Sequence, residues 1–158
     1  MAWQPLTQFV AIDRLADLMI ARFGAISGMK NVNVLTAHYD PDIMPGLEAL
    51  TFWGTEMDQD FGAVGNMRMD ELYRMQGKLL VAMTFRPDRE LAARNCRARC
   101  AAIIGELQDE LRSNPTLTDL VVWARLARMT QAYLGTEKYV LGELTFEIDV
   151  KANLSITT

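Results

Sequence analysis

The chain holds little of what solution chemistry at a protein site requires. Among 158 residues there is one histidine and there are two cysteines. A Ser-His-Asp or Cys-His site would have to be built on His38, and no Gly-x-Ser-x-Gly turn is present to carry a nucleophile. His38 stands in the run His38-Tyr39-Asp40-Pro41-Asp42. As metal ligands His38, Asp40 and Asp42 would match neither a zinc spacing nor an EF-hand loop, so a turn with solvated acids is the expectation. Walker and dinucleotide glycine patterns are also missing, and no cofactor is expected. Cys96 and Cys100 lie four apart in a helical pattern, which stacks both on one helix face. An intrahelical disulfide is geometrically poor there, so the pair reads as structural and the chain as a reduced, intracellular one. No apolar run approaches the ~18 residues of a membrane span. The N-terminus lacks a basic region followed by an apolar core, and no secretory signal is expected.

An excess of basic charge is missing too. Sixteen Lys and Arg stand against twenty Asp and Glu, a net charge of −4, and free nucleic acid is not the expected ligand. Apolar material is what the chain has in quantity. Half the residues are hydrophobic and 23% are charged, which at this length suits one globular domain over residues 1–158. Ten methionines favour an adaptable contact surface over a rigid enzyme.

Hydrophobic periodicity orders the chain. Residues 5–23 predict a helix, with Ile12, Leu15, Met19 and Phe23 at three- and four-residue steps. Residues 31–37 and 48–53 predict two short strands around a loop at 40–46. Residues 54–66 (GTEMDQDFGAVGN) hold three glycines and three acids, and predict a long flexible loop. Residues 71–85 predict a strand, with Gly77 marking a bulge or bend. Its second half, Leu79 to Met83, is apolar on both parities, as in a central strand covered on both faces. Residues 88–113 predict a long helix with an apolar stripe of Cys96, Cys100, Ile103, Ile104, Leu107 and Leu111, ended by Asn114-Pro115. Residues 120–134 and 139–154 predict a closing pair of strands, the last with Leu144, Phe146, Ile148 and Val150 on one face. The expected fold is α+β: an antiparallel or mixed sheet of about five strands, with an N-terminal helix and one long central helix packed on it.

Two groups of charged residues invite a functional reading. On the long helix, Arg94, Arg97 and Arg112 fall on one flank of the stripe, and Glu106, Asp109 and Glu110 toward the other, with Arg99 an exception among them. Opposite edges on one element suit head-to-tail contact between identical subunits, against the plainer reading of a solvated mixed-charge surface. Asp58, Asp60, Asp70 and Glu71 offer paired carboxylates for acid–base work, but nothing in the sequence signals an apolar pocket around them. No catalytic residue is assigned.

Four pieces of the second half, in order, carry a family likeness. They are the apolar strand KLLVAMTF, the arginine- and alanine-rich helix of residues 86–112, the turn and strand LRSNPTLTDLVVWARL, and the closing strand LGELTFEIDVKANL. Over residues 79–154 the chain resembles the tail terminator proteins of long-tailed phages, also called tail completion or tail-to-head joining proteins. Leu111-Arg112-Ser113-Asn114-Pro115-Thr116-Leu117 is the most distinctive match. Many members have glycines after that turn, where this chain has Thr118 and Asp119. The resemblance implies a non-enzymatic virion protein, assembled in the host cytoplasm and placed at the tail–neck junction. It implies a homo-oligomeric ring, commonly a hexamer, that caps the finished tail tube and meets both the major tail tube protein and a head-completion or stopper protein. DNA would pass through the lumen without specific binding, and no membrane is involved. In that setting Glu56, Asp58, Asp60 and Phe61 in the 54–66 segment are the candidate contacts to the tube or a neighbour, and the helix flanks the candidate subunit contacts. The alternatives are another neck component (connector or stopper), a minor tail protein, or a small intracellular enzyme or ligand-binding domain.

Overall fold

The computed structural model describes residues 2–3, 7–37, 43–63, 68–84, 88–136 and 138–157. The run from His38 to Asp42 lies outside them. The elements are β1 (Ala2–Trp3), α1 (Gln8–Ala25), β2 (Asn33–Leu35), β3 (Glu48–Ala63), β4 (Arg68–Thr84), α2 (Arg89–Ser113), β5 (Trp123–Gly135) and β6 (Tyr139–Thr157). They form the expected α+β fold with one mixed sheet. Its order is β1-β6-β4-β3-β2, with β5 also on β6. β5 meets β6 over residues 140–151 and β1 meets it at Ile156 and Thr157. Only β2 runs parallel to its neighbour β3.

Both helices lie on one face. Every residue of the predicted α2 stripe is buried, from Cys96 to Leu111, together with Ala92. They pack on Leu79 and Val81 of β4 and on Leu144, Phe146, Ile148 and Val150 of β6. Burying those four β6 side chains contributes ~1.5–3 kcal/mol each before chain entropy is subtracted. Asp88 caps α2 by accepting a hydrogen bond from the Glu90 amide at 2.9 Å, and Arg112 lies in the last turn, where the helix dipole favours a cation. The apolar second parity of β4 has its own cluster on the opposite face, where Leu80, Ala82 and Leu141 are buried beside Leu47 and Tyr139.

The 54–66 segment is a correction. Residues 54–63 are not a flexible loop but the second half of β3, paired from Gly54↔Gln76 to Ala63↔Arg68. Glycines and acids lower the intrinsic strand preference of this stretch, and the backbone hydrogen bonds of β4 outweigh it. Residues 64–66 of that segment lie outside the described ones. β3 and β4 therefore run 16 and 17 residues, about 50 Å at strand rise, whereas α2 with 25 residues is about 37 Å long. The sheet outreaches its helices.

The turn after α2 takes an unusual shape. Leu117, Thr118 and Asp119 have φ of 49°, 60° and 63°, the left-handed region that glycine enters without penalty. Here local bonds hold the shape instead. The Thr118 amide donates to Asn114 Oδ1 at 2.8 Å, and Arg14 Nη1 donates to the carbonyls of Leu117 and Thr118 at 2.8 and 3.1 Å. The Leu117 side chain is fully buried, so the turn is also anchored by packing.

Candidate functional site

No described helix packs on the second face of the sheet, and its charges fall in rows. Register aligns Glu56 of β3 with Arg74 of β4, Arg74 with Asp149 of β6, and Asp149 with Arg125 of β5. The row reads minus, plus, minus, plus across four strands. One step along, Gln76, Glu147 and Arg128 align in the same way. Arg74 Nε lies 3.0 Å from Asp149 Oδ1 and 3.5 Å from Glu147 Oε2, and Arg128 Nε is 3.9 Å from that same Glu147 oxygen. These carboxylates raise the Arg74 pKa, Asp149 most strongly. The row ends are exposed: Glu56 on β3 and Arg125 on β5, the latter stacked 5.0 Å over the Trp123 ring. Leu72 and Trp123, with Glu56, Arg74 and Asp149 of the row, line a groove of about 470 Å³.

Two bulges create this arrangement. β3 shifts register between Phe52 and Gly54, so Trp53 is the extra residue and the parity of the strand inverts after it. Leu50 and Phe52 face the core before the bulge, and Glu56 is exposed after it. β5 shifts between Leu126 and Arg128, which keeps Arg125 and Arg128 at positions of one parity, opposite Asp149 and Glu147. Gly77 faces the β3 bulge as a bend residue should. A Cβ there would meet the Phe146 ring at 2.2 Å and the Thr51 carbonyl oxygen at 2.9 Å.

The sequence-derived contact residues are placed as follows. Glu56, Asp58, Asp60 and Phe61 all stand on β3, opposite Arg74, Leu72, Asp70 and Met69. On α2, Arg94, Arg97, Arg112 and Asp109 are exposed. Arg94 Nε reaches Glu90 at 3.4 Å, and Arg97 lies 5.5 Å over the Tyr133 ring. Glu106 and Glu110 serve inside the subunit: Arg22 of α1 holds them at 2.8 and 3.0 Å, and both raise its pKa, Glu106 more. Arg99, the exception on the acidic flank, grips Glu48 with two nitrogens and donates to the Gly28 carbonyl at 2.6 Å. The acidic flank therefore ties α1 to α2, and the two charged edges are not equivalent surfaces.

The remaining polar groups have structural work. Glu71 is fully buried and accepts from the Thr7 hydroxyl and, at 3.3 Å, from the Thr7 amide. It puts a carboxylate at the start of α1, whose own first turn has no acid. Tyr73 Oη sits 3.2 Å from the Thr7 hydroxyl, and burial pushes the phenol pKa up to about 12. Cys96 and Cys100 are buried beneath Gly142, where a Cβ would come within 2.8 and 2.9 Å of their sulfurs. The hydrogen bond with Cys96 and then burial push the Cys100 thiol up, so it stays protonated. A cavity of about 610 Å³ opens between residues 45–48, the end of β4 and the start of α2. Its carboxylates are already engaged, Glu48 by Arg99 and Asp88 as the helix cap.

No protein-family model matches the chain, and no curated protein matches it. The charge rows escaped sequence reading because they join residues of four strands, and the bulge at Trp53 hides the alternation that would reveal Glu56. The signal available was unequal charge: three acids and no base in residues 54–63, two arginines and no acid in residues 123–135.

Proposed function

We propose that this chain is a tail terminator: a virion structural subunit that forms a ring, commonly hexameric in such proteins, and closes the finished tail tube against the head-completion complex. The observation that carries the reading is a sheet much longer than its helices, whose helix-free face bears an acid at one edge and a base at the other. A subunit with two different, complementary edges suits head-to-tail contact, the kind that closes rings. The order of strand, arginine-rich helix, turn and closing strand, which underlies the resemblance, is supported by the same elements in the fold. In this reading no reaction is catalysed, and function rests on shape, symmetry and affinity for a tube end. Arg94, Arg97 and Arg112 remain candidate contacts on the helix side, and residues 56–61 of β3 are the candidate contact to the tube or a neighbour.

Complementation of a phage lacking this chain tests the role. Separate heads and tails are expected to accumulate, and purified protein added to the extract is expected to restore joined, infective particles. Normal joining without the chain would reject the tail terminator reading.

A further inference from the structure

We propose that in free solution two copies of this chain stack their helix-free sheet faces about a two-fold axis that runs along the strands, midway between β4 and β6. The inference concerns the chain away from a tube end; it goes beyond the ring reading and does not rest on it. Three observations carry it.

The first is the order of the charges. The row Glu56, Arg74, Asp149, Arg125 reads minus, plus, minus, plus. A two-fold axis along the strands keeps each residue's position along its strand and reverses the strand order. β3 then lies over the partner's β5, and β4 over the partner's β6. Glu56 meets the partner's Arg125, Arg74 meets the partner's Asp149, and each contact occurs twice. Every charge of the row faces its opposite, which favours this pairing over others. A row ordered plus, minus, minus, plus would face itself with like charges, so the match is a property of this sequence. Within one copy Arg74 and Asp149 have an opposite charge on both sides in the row, whereas Glu56 and Arg125, at its ends, have one. Stacking supplies the second.

The second is what flanks the row. Lys78 aligns with Thr145, so stacking sets it over the partner's Thr145, with the partner's Glu143 and the partner's Glu147 two residues to either side. At one end of the face Ala82, Leu141 and Leu134 align, and the Leu47 carbonyl accepts from the Ala82 amide at 2.9 Å. Reversal sets Ala82 over the partner's Leu141, and Leu134, 55% exposed, over the partner's Leu47. At the other end Leu72, 50% exposed, aligns with Lys151 and comes under the apolar stem of the partner's Lys151.

The third is size. From Leu72 to Ala82 the face runs about 33 Å along β4, and its four strands span about 19 Å. That is a footprint of about 600 Å² on each copy, and two copies reach the ~1,200 Å² of a stable interface. Sheets stacked with nearly aligned strands lie about 10 Å apart, a gap that Glu and Arg side chains bridge together.

Sedimentation of the purified chain is expected to show an association that stops at two copies and reverses on dilution. Glu56→Arg alone and Arg125→Glu alone each place two like-charge pairs in the stack, and each is expected to weaken association at least about 100-fold. An equal mixture of the two is expected to regain the dimer. So is one chain carrying both changes, because every facing pair is again opposite. Hydrogen exchange on the wild-type chain needs no variant and locates the contact. Stacked faces leave the outer edge of β5 unpaired, so its outward amides are expected to exchange as fast in the dimer as in the monomer. A chain that stays monomeric at every concentration overturns the proposal, as does a dimer that the single reversals leave intact. Oligomers of more than two copies that protect β5 on assembly place the contact at the strand edges, which overturns the stack and leaves the ring reading standing.

Discussion

Gly77→Ala is expected to cost about 2–3 kcal/mol of folding stability, as overpacking of a tight core does, which lowers Tm by on the order of 4–12 °C. The added methyl group would be placed 2.2 Å from the Phe146 ring and 2.9 Å from the Thr51 carbonyl oxygen. The ring cannot swing aside freely, because it is 2% exposed and packs edge-on against Phe52 with centroids 5.8 Å apart. The carbonyl belongs to the backbone just before the Trp53 bulge and is fixed by strand pairing. Phe146→Leu alone is expected to cost about 1–2 kcal/mol through lost packing. The double variant is expected to be more stable than the sum of the two losses by at least about 0.5 kcal/mol, since the smaller side chain makes room for the methyl group. Additive losses would mean that the ring and Gly77 do not share this space. Chemical denaturation of the four chains measures the cycle.

Leu107→Ala is expected to cost about 2–5 kcal/mol, the range for emptying a fully packed leucine site. Leu107 has no exposure and lies mid-stripe, between Cys100 and Leu111, where α2 meets the sheet. Leu91, on the same helix, is 49% exposed, and Leu91→Ala is expected to change stability by no more than about 0.5 kcal/mol. Denaturant midpoints for the two variants check the contrast. Equal effects would place α2 with a different face against the sheet.

The parts of the fold that were legible in the sequence are those whose cause is local. The α2 stripe repeats at helical spacing, and Asn114-Pro115 ends the helix. The alternation of β6 survives because no bulge interrupts it, so Leu144, Phe146, Ile148 and Val150 are all buried. What stayed hidden depends on partners far along the chain. Residues 54–63 look like a loop because their glycines and acids are poor strand formers, and β4 supplies the pairing that their composition does not. Glu71 accepts from Thr7, the residue before α1, across a separation of 64 residues, which no local motif announces. Glu106 and Glu110 looked like a free acidic flank because nothing in α2 indicates that Arg22 of α1 will lie against them. The candidate surface was half visible, in the acidic bias of one segment and the basic bias of another. Register alone turns those biases into rows of opposed charge.

The most direct measurement of the proposed role is electron microscopy of the purified protein with and without phage tail tubes. Discrete rings of uniform size at one end of each tube are the predicted result. Decoration along the tube wall, binding at both ends, or bare tubes beside monomeric protein would contradict it.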